Sequence, residues 1–189
     1  MRLFNKRLRH LQRKVRTSFP NWRVVVKGRK LYVKKNQGMN AWCSFRSFSL
    51  YDEEELFSFL HKCEEIEQDL VRVRDDLDVS CHLVFTYGCP VEQSHSYFPQ
   101  FKHICLNVED LLIRFPTRDE WRSVLLHEIG HYLDHREHGF VCFSGSTPME
   151  EEITAWSYAA RALSKANIQS NVFYRIKKEA LLTYQLTIS

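Results

Sequence analysis

The sequence predicts an α+β fold with a small mixed or antiparallel sheet, and three observations predict it. Apolar residues recur at helical spacing in long segments near 52–77, 118–135 and 149–163. Short β-rich runs bounded by turn formers stand apart from them, at 22–35, 81–87 and 103–108. The chain has 189 residues, 44% of them hydrophobic, with no internal repeat and no apolar run of membrane-spanning length. This predicts one compact body, residues 52–189, preceded by a basic helix and β-hairpin region at 1–51.

At the N-terminus, Leu3, Phe4, Leu8, Leu11 and Val15 recur at helical spacing, while Arg2, Lys6, Arg7, Arg9, Arg13, Lys14 and Arg16 fill the other faces. That is an amphipathic basic helix. It lacks the continuous apolar stretch of a secretory signal, although its Arg-rich, acid-free character is shared by transit peptides. After Pro20, two β-rich runs flank Lys27-Gly28-Arg29-Lys30, which predicts a hairpin with a basic tip. Gly38-Met39-Asn40 marks a turn, and the partial alternation of 41–51 predicts a third strand.

An acidic helix follows from about Asp52 to Leu77. Its Leu56, Phe59, Cys63, Ile66, Leu70, Val73 and Leu77 alternate by three and four, a seam suited to packing across a sheet. Residues 81–87 and 103–108 read as strands, and 88–101 between them as a loop rich in turn formers and aromatics. A last helix, 171–186, turns Val172, Ile176, Ala180 and Leu181 inward.

The central helix carries the chemistry. Pro116 and a Thr117-x-x-Glu120 capping box start it, and it runs to about 135 or on to His138. Within it, residues 127–131 read His-Glu-Ile-Gly-His. Residues four apart share a helix face, so His127 and His131 can offer two imidazoles to one Zn²⁺. Glu128 is then placed to take a proton from a water that the ion activates. From 124 to 133 the only formal charge is Glu128, so the helix is buried, and buried polar groups need partners. A metal ion supplies them.

A catalytic zinc takes a third protein ligand. His135 is about 12 Å along the helix from His127 at 1.5 Å per residue, too far to share the ion. His138, His103 and Cys105 are further candidates. So is the helix beginning near Met149, with Thr147 as its cap. There the positions three, four, seven, eight and eleven beyond Glu152 are Ala155, Trp156, Ala159, Ala160 and Leu163, all apolar. Glu152 therefore heads a buried stripe, where an ion pair or a metal is expected. Glu151 heads a weaker stripe and is the alternative ligand; Glu150 faces solvent.

HEIGH followed by a helix of the form E-x-x-A-x-x-Y-A-A resembles the gluzincin metallopeptidases, and is particularly similar to the small ImmA/IrrE-type enzymes. The likeness covers residues 117–163. Aligned on Ala155, the first family glutamate falls on Glu152, whereas the second falls on Thr154, a departure. The resemblance implies a zincin-like domain with zinc peptidase activity directed at a specific intracellular protein. It also implies that the strand before the metal helix, here 103–108, forms the edge of a cleft to which a peptide can add. An oxyanion stabiliser is needed; Tyr158, Tyr132 and His103 are candidates, Tyr158 lying on the glutamate helix itself.

Charge divides the chain. Residues 1–51 hold 14 Lys or Arg and no acidic residue; the remaining 13 basic and all 23 acidic residues follow. A basic region of +14 beside a body of −10 predicts a polyanionic partner, nucleic acid or another, for residues 2–35. The alternative function is accordingly a nucleic-acid- or protein-binding regulator built on the same core with little or no proteolysis. The six cysteines form no CxxC pair, which with no signal sequence predicts free thiols and a cytoplasmic location. Cys81, Cys89, His95 and His103 are a candidate set for a second, structural zinc.

Overall fold

The protein is described here by a computed structural model that covers residues 2–37, 40–88, 95–139 and 147–188. Gly38 and Met39 of the expected turn, and Cys89 and Cys142, lie outside the described residues. The order of elements is α1 (Arg2–Ser18), β1 (Trp22–Lys27), β2 (Lys30–Gln37), β3 (Asn40–Cys43), α2 (Glu53–Asp76), β4 (His82–Thr86), β5 (His95–Phe98), β6 (His103–Asn107), α3 (Val108–Arg114), α4 (Arg118–His138), α5 (Pro148–Ala162) and α6 (Ser170–Ile188). The fold is α+β, with two three-stranded sheets among the described residues.

The first sheet is antiparallel, β1-β2-β3, and the hairpin closes at the Lys27↔Lys30 pair as its basic tip predicts. α1 does not stand away from the body. Its stripe of Leu11 and Val15, continued by Phe19, is fully buried, and Gln12 Nε2 donates to the Val24 carbonyl at 3.3 Å. The third strand is shorter than the alternation implies. The buried Glu109 carboxylate takes the N–H groups of Phe45 and Arg46 at 2.9 and 3.2 Å, drawing the chain away from the sheet just after β3. The same carboxylate accepts from Gly88 N at 2.9 Å. Gly88 has φ +69°, and a Cβ there would lie 2.0 Å from the Cys43 carbonyl oxygen, so only glycine fits this junction.

α2 begins at an Asp52 cap that accepts from Glu55 N at 3.0 Å. Its buried residues include Leu56, Phe59, Cys63, Ile66, Leu70 and Val73, the seam read from the sequence. The helix lies between the two halves: Phe59 meets Phe48 of the first half at 5.2 Å, and one continuous apolar core runs from Leu11 to Ile176. Lys35 of β2 reaches into it and pairs with Glu67 of α2, which also accepts from Tyr87.

The second sheet has the order β4-β6-β5, with β4 parallel and β5 antiparallel to β6. This corrects two expectations. Residues 95–98 are a strand, inside the segment read as loop. The 103–108 run is therefore the middle of the sheet, and the edge strand is β5. His95 fixes the first residue of that edge: its Nε2 lies 3.0 Å from Asp110 Oδ2, and its Nδ1 accepts from Asn107 N at 3.4 Å. α3 follows β6 directly, started by the Asn107 side chain accepting from Asp110 N at 3.2 Å.

α4 begins as read, with Glu120 accepting from Thr117 N at 2.9 Å in the capping box, and it extends to His138. α5 starts at a second capping box, Thr147 with Glu150, so Glu150 caps the helix. α6 crosses both, burying Phe173 and Ile176 and setting Phe173 against Trp156 at 5.3 Å. Among the described residues no helix is long and apolar enough to cross a membrane.

Candidate metal centre

α4 and α5 pack unusually closely because small residues meet at their crossing. A Cβ built on Gly130 would fall 2.1 Å from the Ala155 carbonyl oxygen. The glycine of HEIGH therefore lets α5 approach until Glu152, three residues before Ala155, sits over the two histidines. His127 Nε2 lies 3.1 Å from Glu152 Oε2, and His131 Nε2 lies 3.4 Å from Glu152 Oε1. One ligand atom from each of the three residues falls within 4.8 Å of the others, and among the described residues this is the only such group.

The surroundings orient the donors. The His127 ring stacks on the buried Trp156 indole at 4.3 Å and 22°. Its Nδ1 is buried without a hydrogen-bond partner, so stacking and not a hydrogen-bond acceptor holds the ring. Burial alone would raise the Glu152 pKa, but the two histidines beside it hold the carboxyl well below the ordinary carboxylate range. Burial alone would lower His131; Glu152, with Glu128 and Asp134, raises it instead. Glu152 Oε2 is buried and, despite its nearness to His127, lacks a well-directed hydrogen bond.

This donor set fits a divalent transition metal. Two imidazole nitrogens and one carboxylate are a known catalytic zinc set, and the underbonded carboxylate oxygen has a use once a cation lies between the three groups. Glu128 is buried and lines the same cleft, about 240 Å³, together with His95, Tyr97, Glu151 and Tyr184.

The remaining sequence candidates separate. Glu151 lines the cleft but stands outside the three-residue group. His135 meets the Tyr97 hydroxyl at 3.3 Å, and His138 pairs with Asp134 at 2.9 Å. His103 stacks near His82 and Phe101 on the far end of β6 from His95. Neither it nor Cys105 joins the group, and with His95 committed to Asp110 the second zinc set does not assemble among the described residues. The Tyr132 and Ser80 hydroxyls are hydrogen-bonded to each other at 2.9 Å.

Tyr158 is directed elsewhere. Its hydroxyl donates to Glu137 at 2.7 Å, beside Arg161. Six residues beyond Glu152, it is rotated by about 240° from the ligand stripe. The tyrosine that the sequence reading missed is Tyr184 of α6, which lines the cleft and hydrogen-bonds Glu152. Burial, then the nearby Glu152 and Glu128 carboxylates, push its phenol pKa up, so it stays a donor. A signal existed: Tyr184 continues the i, i+4 column of Ile176 and Ala180.

A larger apolar pocket of about 540 Å³ lies between α2, α3 and residues 45–46. Its carboxylates are already engaged, Glu55 by Arg46, Glu109 by backbone N–H groups and Asp110 by His95. The smaller cleft holds the His127, His131 and Glu152 group. In comparison with known proteins, the chain matches no family model, no curated protein and no solved structure.

Proposed function

We propose that the protein is a zinc-dependent metallopeptidase of gluzincin type that hydrolyses peptide bonds of a protein substrate. The observation that carries this reading is the convergence of His127, His131 and Glu152, with Glu128 in the same cleft. His127 Nε2, His131 Nε2 and the Glu152 carboxylate would hold the ion. Bound zinc supplies Lewis acidity, lowering the pKa of a water and polarising the scissile carbonyl. Glu128 takes a proton as the water oxygen adds to the carbonyl carbon, and returns it to the nitrogen as the C–N bond breaks. A purely structural site has no use for such a base.

Of the two cleft tyrosines, Tyr97 meets His135 and Tyr184 meets Glu152, so Tyr184 is the donor nearest the ligands. It would stabilise the oxygen that gains charge in the transition state. The edge strand β5 borders the cleft through His95, Ser96 and Tyr97; among the described residues no strand pairs with its other side, to which an extended peptide would add.

The test uses zinc content and activity together. The purified protein should bind about one zinc per chain, and His127→Ala or His131→Ala should abolish tight binding. Glu128→Gln should keep zinc and fold while losing on the order of 10²–10⁴-fold in peptide hydrolysis. Stoichiometric zinc in both histidine variants would sink the metal assignment. Equal behaviour of wild type and Glu128→Gln would favour the binding regulator instead.

A further inference from the structure

The outer face of α1 is left unused by the fold and by the zinc centre. Lys6, Arg9, Arg13 and Arg16 recur at spacings of three and four, so they form one column along the helix. All four are exposed. The column is about 15 Å long at 1.5 Å per residue. Arg9 Nε donates to the Asn5 carbonyl at 3.3 Å, which lays its guanidinium along the column. Asn5 and His10 complete a shallow open groove with Lys6, Arg9 and Arg13.

The acidic body neutralises other cations and leaves this column alone. Lys14 pairs with Glu53 at 2.5 Å, Arg46 with Glu55 at 2.5 Å, and Lys35 with Glu67. Each of these reaches α2. Among the described residues no carboxylate pairs with Lys6, Arg9, Arg13 or Arg16. The hairpin tip adds to the field. The chain reverses after Phe19, where Trp22 N donates to its carbonyl at 2.9 Å, and β1 runs back along α1. At about 3.3 Å per strand residue and 1.5 Å per helix residue, Lys27 comes level with the second turn of α1.

We propose that this face binds double-stranded nucleic acid through its phosphates, without reading base sequence. Three observations choose that partner among polyanions. A membrane-lying helix must turn its apolar stripe to the lipid, and here most of that stripe faces the sheet, Leu11 and Val15 being 2% and 0% exposed, so that only Leu3 and Phe4 of the first turn stay exposed. Single strands are held by aromatic stacking platforms, and the groove contains no Phe, Tyr or Trp. The regular column of long cations, mostly Arg, suits repeated phosphates, where bidentate donors are favoured. The inference does not depend on the zinc reading.

The test titrates the full chain against a labelled 20-base-pair duplex, a single strand of equal length, and phosphatidylcholine vesicles with and without phosphatidylserine. Wild type should bind two unrelated duplexes equally, with log affinity falling linearly as log salt rises. The triple variant Arg9→Gln/Arg13→Gln/Arg16→Gln should bind at least tenfold more weakly, with the salt slope reduced by roughly 2.7, about 0.9 per lost phosphate contact. Lys14→Gln, which faces α2, should bind like wild type. Circular dichroism should show both variants folded, since every replaced side chain is exposed or half-exposed. No duplex binding at low salt, a triple variant that binds like wild type, or preference for single strands or anionic vesicles would each overturn the proposal.

Discussion

Asp69 and Glu152 are both buried carboxylates held against α4, Asp69 at its first two turns and Glu152 further along. Asp69 accepts from Trp121 Nε1 at 3.2 Å and from Arg122 Nε and Nη2 at 2.7 and 2.6 Å, with Arg118 Nε at 3.6 Å. Each carboxylate oxygen thus has at least one protein donor in good geometry. Glu152 faces two imidazoles, and one of its oxygens lacks a well-directed hydrogen bond. The same helix therefore satisfies one carboxylate with a bidentate guanidinium and sets the other against two imidazoles. The first is a bolt of the fold. The second keeps one buried oxygen without a well-directed partner, a place that a bound cation would fill.

The largest effect should fall on the bolt. Asp69→Ala leaves the Arg122 charge and the Trp121 N–H unpaired and should destabilise by about 3–5 kcal/mol in denaturant unfolding. The folded fraction should still take up zinc. An unchanged unfolding midpoint would erase the contrast between the two carboxylates.

At the other end, Glu152→Gln should weaken zinc by more than the roughly 10–100-fold typical of outer-shell changes, while Glu151→Gln stays within that range or below. Competition with a chelating dye measures both. Equal losses would mean that the wrong glutamate was chosen. Gly130→Ala acts on the spacing. Alanine ordinarily favours a helix by about 1 kcal/mol over glycine, but here its Cβ meets the Ala155 carbonyl. The sign should reverse, to a loss of about 1–3 kcal/mol from overpacking, with weaker zinc as α5 is pushed off. A stabilised variant with intact zinc affinity would show that the close approach is not needed.

The smallest effect is in pH. The lowered pKa of Asp69, like that of Glu152, means stability present above the ordinary carboxylate value and lost as pH falls below about 4. The raised pKa of His131 means a contribution to the metal-free protein that is present below about 6.5 and lost as pH rises through its folded value. Zinc must displace that proton, so its affinity should increase over the same rise. Thermal melts against pH, with and without zinc, read both limbs. A metal-free protein losing stability only on the acid side would remove His131 from the pair.

Most of the site was legible because helical spacing is local. Two histidines four apart, an apolar stripe under Glu152 and two capping boxes each state a geometry within one element, and α4, α5 and α2 follow them. What was not legible depends on other segments. β5 has four residues within a turn-rich stretch and exists because β6 offers it a partner. α3 hides behind a strand whose last residue is also a helix cap. β3 stops where Glu109, far along the chain, takes its donors. Tyr158 was chosen for its helix, not its side of the helix. Tyr184 sits on a mostly exposed final helix whose approach to the cleft only the tertiary fold decides.

The Glu109 carboxylate has a consequence in time. It binds backbone donors of Phe45 and Arg46, which precede it by 64 and 63 residues. A ribosome working at about 5–20 residues per second emits those donors roughly 3–13 s before their acceptor. Throughout that interval the cationic helix and hairpin are outside the exit tunnel, able to pair with α2 but without this clamp on the segment that follows β3. The end of the most positively charged quarter of the chain thus waits longer for Glu109 than its helix and hairpin wait for α2, in the immediate neighbourhood of ribosomal RNA.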